Sequence, residues 1–246
     1  TITVYDYGLT RDGRQFYVME LLDGITLQDL VTRFGPMECS RVIYVLRQIC
    51  ESLGEAHAAG LIHRDIKPAN VFLCQKGGAY DFVKVLDFGL VKPRHDPGTQ
   101  LTLGSEILGT PGYTPPESIQ SGQYDQRSDI YSLGCLAYFL LAGQLMFEGG
   151  GAVEHVFKHV NEPPIPITER AKQSVHQGLA DLVMQCVEKR PEDRPEDCDA
   201  ILNSLESLAE ECPWGRSGAR QWWLEHIGVV APVGVATTTV VSRDSL

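Results

Sequence analysis

The chain has 246 residues, 43% of them apolar and 22% charged, with a formal net charge of −11. Such a composition fits one large globular domain or two small ones. The acidic balance argues against nonspecific binding to nucleic acid or to an acidic membrane face, and leaves room for a nucleotide in a local site.

The first two apolar stretches, "ITVYDYG" and "QFYVMELL", are aromatic and β-branched, and Asp12-Gly13 lies between them. They predict a β-hairpin. Asp23-Gly24 breaks the second strand, and "TLQDLVTRFG" predicts a short helix ending at Gly35. From Ser40 to Ala59, Val42, Val45, Leu46, Ile49, Leu53 and Ala56 recur at helical spacing. Ser40 is the expected N-cap and Gly60 the expected C′ residue. A polar loop, "LIHRDIKPAN" (61–70), follows. Two short strands come next, "NVFLC" and "FVKVLDF", separated by Lys76-Gly77-Gly78.

Leu90 to Pro116 has no periodicity and is rich in Gly, Pro, Thr and Ser. Long structureless stretches inside a domain tend to be functional or disordered. "DIYSLGCLAYFLLAG", from Asp129, is apolar almost all round, as a helix buried in a larger domain would be. Val175–Glu188 and Pro195–Glu211 predict two more helices. Few strands followed by many helices mark an α+β chain. Trp214, Trp222 and Trp223 then cluster in a tail, expected to form a short helix that docks its aromatics on the body.

Seven cysteines stand at 39, 50, 74, 135, 186, 198 and 212, with no CxxC among them. Their odd number and wide spacing predict free thiols in a reducing, cytoplasmic setting. "GVVAPVGVATTTVV" (228–241) is too short and too broken by Gly and Pro for a membrane span. The last dozen residues are expected to be disordered.

Five segments carry chemistry: "HRDIKPAN" (63–70), "DFG" (87–89), "GTPGYTPPE" (109–117), "DIYSLG" (129–134) and "RPEDRP" (190–195). In this order and spacing they resemble the eukaryotic-type (Hanks-type) protein Ser/Thr kinases, in their bacterial form. The resemblance covers roughly residues 1–211. It implies a protein-kinase-like α+β fold, mostly the helical C-lobe with a remnant β-hairpin of the N-lobe. Residues 1–19 would be the N-lobe remnant, 20–25 the hinge, 26–211 the C-lobe, and 212–246 a partly disordered Trp-containing tail. It further implies transfer of the ATP γ-phosphoryl group to Ser or Thr hydroxyls of protein substrates, with Mg²⁺, and possible autophosphorylation. No nucleic acid and no membrane enter this picture. A small-molecule kinase of similar fold fits less well, because "GTPGYTPPE" resembles a peptide-docking signature.

By the same resemblance Asp65 is the base, Lys67 reaches the transferring phosphate, and Thr110 bonds both. Asn70 and Asp87 offer hard oxygen ligands to Mg²⁺. Met19 is the gatekeeper, the backbone of Glu20 and Leu22 holds the adenine edge, and Phe72 and Leu86 lie against the base. Arg64 awaits a phosphate on the activation loop, at Thr102 first, or at Thr99 or Ser105. Asp129 caps the backbone of the catalytic loop, and Glu117 and Arg194 form a buried ion pair. His63, Phe88 and Tyr5 would join one hydrophobic spine, and Leu136 and Leu140 a second.

Three family features do not occur before residue 20: the Gly-rich loop, the strand Lys and the helix Glu. Two explanations stay open. The chain is a truncated kinase, or it is a pseudokinase or scaffold module. On either, these 246 residues alone are expected to bind ATP poorly and to be nearly inactive.

Overall fold

The computed structural model describes residues 1–10, 12, 14–87 and 110–227. Strands β1 (Val4–Leu9) and β2 (Gln15–Met19) pair antiparallel, from Val4 opposite Met19 to Leu9 opposite Gln15. A second, three-stranded antiparallel sheet has the order β3 (Gly24–Thr26), β4 (Val71–Lys76), β5 (Ala79–Val85). Its β4–β5 hairpin turns on Gly77 and Gly78, both at positive φ (57° and 76°). A tight two-residue turn needs that conformation, and glycine adopts it without strain. Both strands run further toward this turn than their apolar cores predict.

Helix α1 (Leu27–Phe34) starts where Thr26 Oγ1 accepts the Asp29 N–H at 3.0 Å, and ends at Gly35. Helix α2 (Cys39–Ala58) begins one residue before the expected cap. Ser40 lies inside its first turn, and the extended residue at the cap position is Glu38, with no side-chain cap bond. Tertiary anchoring replaces local capping here: the neighbouring Met37 N–H donates to Leu140 O at 2.8 Å. The C-terminus closes as expected at Gly60. Gly60 N–H donates to His57 O and Leu61 N–H to Ala56 O, a Schellman pair.

Helix α3 (Pro116–Gln120) begins at the end of the stretch that lacks periodicity, and a 3-10 turn (Pro111–Tyr113) lies within that stretch. Helix α4 (Gln126–Ala142) starts before Asp129, because Asp125 caps it in a reciprocal box with Ser128. Ser128 through Ala142 are all buried, so α4 is the axis of the core. Around it stand α5 (Ala152–Asn161), α6 (Ile167–Arg170), α7 (Gln177–Cys186), α8 (Cys198–Glu211) and α9 (Arg216–His226). Helices α3, α5 and α6 escape the sequence reading. The anchors Leu136 and Leu140 are fully buried on α4.

The aromatic tail docks as α9. Asp81, fully buried at φ 55°, accepts from Arg41 Nε (2.9 Å) and Nη2 (2.7 Å), Trp214 Nε1 (3.0 Å) and Trp223 Nε1 (2.7 Å). The Arg41 guanidinium also lies 3.7 Å from the Trp222 ring centre. A buried carboxylate with one cation and four donors ties α9, α2 and β5 together. Residues 228–246 lie outside the described part. Among the described residues, no helix is long and apolar enough to cross a membrane.

Candidate active site

The polar loop leaves α2 through the Gly60 turn and runs into β4. Its backbone hangs on one side chain. Asp129, 1% exposed on α4, accepts the N–H of His63 at Oδ2 (2.8 Å) and that of Arg64 at Oδ1 (2.9 Å). Arg64 sits at φ 67°, a left-handed conformation that costs energy for a residue with a side chain. The two bonds to a fixed carboxylate hold it there. This is the capping role expected of Asp129.

Held this way, the His63 ring is fully buried. Burial lowers its pKa. Nε2 then donates to Leu86 O at 2.8 Å, and Nδ1 accepts the Asp65 N–H at 3.3 Å. Leu86 is gripped from its other side, its N–H donating to Asn70 O at 2.8 Å. Asp87 follows Leu86 directly and is exposed, at φ 53°. The loop and the "DFG" strand end are thus one hydrogen-bonded unit.

Within the loop, Pro68–Asn70 forms a single 3-10 turn. It folds Asn70 back so that Nδ2 donates to Asp65 O (2.8 Å) and Asp65 Oδ2 (3.0 Å). Lys67 Nζ stands 3.0 Å from the same Oδ2, and both side chains stay partly open at 23% and 22% exposure. Asp65, Lys67 and Asn70 therefore meet, as the sequence reading expects. Thr110 shares the wall of a small cavity with Arg64, Asp65, Ile66, Tyr113 and Tyr124.

The predicted hinge residues Met19, Glu20 and Leu22 are half-buried, as are Phe72 and Leu86. Phe72 pairs with Thr26 on one side and Lys84 on the other. Glu20 N–H donates to Thr3 O at 3.0 Å, so contact from its backbone to a ligand would fall to its carbonyl. The Glu20 carboxylate meets Lys84 Nζ at 2.5 Å. Tyr5 departs from expectation. It is 67% exposed rather than packed in a spine with His63, because its face of the β1–β2 hairpin has no cover among the described residues. Phe88, Thr99, Thr102 and Ser105 lie outside the described residues.

Glu117 and Arg194 form the expected pair, bidentate at 2.8 and 2.8 Å. Arg194 also donates to the carbonyls of Glu188, Lys189 and Arg127, so all five of its N–H groups are used. Burial pushes the Glu117 pKa up, but Arg194 and Ser128 outweigh it and hold the carboxyl low.

The sequence reading passed over His57. Its Nε2 lies 2.8 Å from Asp129 Oδ2. The signal was a histidine in the last turn of a helix, six residues before His63.

A buried helix that suspends a loop with a clustered Asp, Lys and Asn, joined to a strand end that presents a second Asp, defines the large lobe of a protein kinase. The family model "Protein kinase domain" matches residues 2–205. The chain belongs to that family. It is 37% identical over 214 residues to the serine/threonine-protein kinase pkn3 of Myxococcus xanthus, covering 86% of this chain and 39% of that protein. It is 40% identical over 200 residues to PknB of Mycobacterium tuberculosis, covering 78% of this chain and 30% of PknB. PknL of the same species is 39% identical over 211 residues, covering 85% and 51%. The chain thus spans between 30% and 51% of the length of these relatives. Among solved structures, Rad53 residues 1–466 align with TM-score 0.68 at 24% identity, covering 82% of this chain and 49% of that one. The Mycobacterium tuberculosis PknI kinase domain aligns with TM-score 0.63 at 21% identity, covering 85% and 71%. These last two establish the fold.

Proposed function

We propose that this chain carries the catalytic loop of an ATP-dependent protein serine/threonine kinase, which moves the γ-phosphoryl group to a Ser or Thr hydroxyl. The carrying observation is the convergence of Lys67 Nζ and Asn70 Nδ2 on Asp65 Oδ2, each at 3.0 Å, in a partly open loop. Asp65 accepts the proton of the attacking hydroxyl. Lys67 offsets charge on the transferring phosphate. Thr110, which lines a small cavity together with Asp65, hydrogen-bonds Asp65 and Lys67 in the working site.

Asn70 and Asp87 would hold Mg²⁺. The residues fit that ion: Asn70 turns its amide nitrogen toward Asp65, which presents Oδ1 the other way, and Asp87 offers an exposed carboxylate. Magnesium favours such sparse sets of hard oxygens, completed by water and phosphate. When bound it neutralises phosphate charge. The backbone of Glu20 and Leu22 holds the adenine edge, with Met19, Phe72 and Leu86 as apolar walls. Arg64 receives a phosphate on Thr102 or Thr99. Residues 1–19 act as small-lobe hairpin, 20–25 as hinge and 26–211 as large lobe. The acceptors are proteins, this protein itself among them, and the setting is cytoplasmic.

The test is transfer of labelled γ-phosphate from ATP to a protein acceptor by the full-length gene product. Asp65→Asn should lower the rate by about 10²–10⁴-fold, the range of general-base contributions, with the thermal melt unchanged. Equal rates for Asp65→Asn and the parent would overturn the assignment.

A further inference from the structure

Helix α9 lies past residue 205, where the match to the kinase family ends. Together with Trp214 just before it, it reaches both edges of the β3–β4–β5 sheet. At the β5 edge, Trp214 Nε1 and Trp223 Nε1 donate to the two oxygens of Asp81 at 3.0 and 2.7 Å. The Tyr80 and Trp223 ring centres are 5.9 Å apart. At the other edge, β3 runs straight into α1 at Thr26. Phe34, at the far end of α1, meets Trp222 edge-on at 5.2 Å and His226 at 5.5 Å. Trp222 and His226 are themselves stacked, with centres 4.6 Å apart and planes 9° from parallel.

The sheet held in this way carries the groups assigned to the nucleotide. Thr26 on β3 pairs with Phe72 on β4, and Phe72 pairs in turn with Lys84 on β5. Strand β5 leads directly into Leu86 and Asp87. Its other end depends on Asp81, a fully buried carboxylate at φ 55°, where a residue with a side chain is strained. A buried carboxylate must keep its donors. Gln48 on α2 steadies the same backbone, donating to Asp81 O and accepting the Val83 N–H, each at 3.0 Å. Without the two indoles, the Asp81 carboxylate would retain the Arg41 guanidinium alone of these donors.

We propose that α9 is a positioning element for the nucleotide: it clasps both edges of the β3–β4–β5 sheet, and Trp214, Trp222 and Trp223 thereby set Phe72 and Asp87 for Mg·ATP. This role rests on the nucleotide reading of Phe72 and Asp87. Such coupling is reciprocal. A docked α9 that raises nucleotide affinity must itself be held more tightly by bound nucleotide, and by the same factor.

The experiment uses the full-length protein and Mg·ADP, with binding followed by calorimetry. Saturating Mg·ADP should slow amide exchange in α9 by about 5-fold or more beyond any slowing in α8. General stabilisation of the fold would slow both helices alike. A Trp214→Phe, Trp223→Phe double variant keeps both rings and loses both donors. Its KM for Mg·ATP should rise by about 5-fold or more, with kcat and the KM for the protein acceptor unchanged. Phe34→Leu, which removes the ring contact at the other edge, should raise the same KM. A thermal melt checks that each variant folds, and for one that does not, exchange in the parent decides. Equal slowing of α8 and α9 with Mg·ADP bound overturns the clasp. So does a parental KM for Mg·ATP in both folded variants, or a fall in kcat with that KM unchanged. No binding of Mg·ADP by the parent overturns the nucleotide reading, and the clasp with it.

Discussion

His57 Nε2 lies 2.8 Å from Asp129 Oδ2, and this carboxylate also carries the backbone of the catalytic loop. The contact gives the loop a dependence on protonation. Burial pushes the His57 pKa down, and the hydrogen bonds to Asp129 and Cys198 more than reverse it, raising it to about 9. A raised histidine stabilises the fold below its ordinary value of 6.5, and that stabilisation is lost as pH rises through 9. Cys198 works in the opposite sense. Contact with Cys50, then with His57, lowers it to about 6, so its contribution is present above 9 and lost as pH falls through 6. The two slopes offset between those values. The parent melt should be nearly flat from pH 6.5 to 9, and Cys198→Ser should show a melt that falls across this window. A flat profile in Cys198→Ser would count against the His57–Asp129 contact.

Arg194 has all five donors engaged at 0% side-chain exposure. Arg194→Ala should destabilise by about 3–5 kcal/mol, because it strands the largely covered Glu117 carboxylate, 15% exposed. Removing Glu117 as well should cost less than the sum of the single changes, read as a double-mutant cycle in urea unfolding.

Asn70 serves two partners. Its nitrogen braces Asp65, and its oxygen belongs to the proposed Mg²⁺ set. Asn70→Ala should lower phosphotransfer and raise the Mg²⁺ concentration needed for half-maximal rate. Asn70→Asp should restore part of the Mg²⁺ response but not the brace. A magnesium titration separates them.

Trp223 is 1% exposed and donates to Asp81 at 2.7 Å. Trp223→Phe keeps a ring and removes the donor. The loss should be about 1–3 kcal/mol, the cost of leaving a buried polar group short of a partner. Urea unfolding measures it. No change would show that α9 docks by apolar contact alone.

Gly134 lies inside α4, where alanine gains about 1 kcal/mol in helix propensity. Space decides otherwise. A Cβ there would lie 2.7 Å from both Cys186 Cβ and Val187 Cγ1. Overpacking costs about 1–3 kcal/mol, so Gly134→Ala should destabilise despite its better propensity.

Much of the site was legible in the residues. Asp65, Lys67 and Asn70 fall within six positions around a proline, so the chain has little choice but to turn them together. The α4 helix was legible because it is apolar on every side, and α1 because Gly35 marks its end. Ser40 misled because a serine at the right place loses to an anchored neighbour: the Met37–Leu140 bond sets where α2 begins. The short helices α3 and α6, of five and four residues, have too few turns to display a period.

By itself the sequence determined the order of elements and the groups that meet within a loop, since both depend on neighbours a few residues apart. Only the tertiary structure decided which distant side chains share a carboxylate. Asp129 joins His57 to His63 and Arg64, and Asp81 joins Arg41 to Trp214 and Trp223. A buried charge must find its donors wherever packing brings them, and packing spans separations that local spacing does not encode.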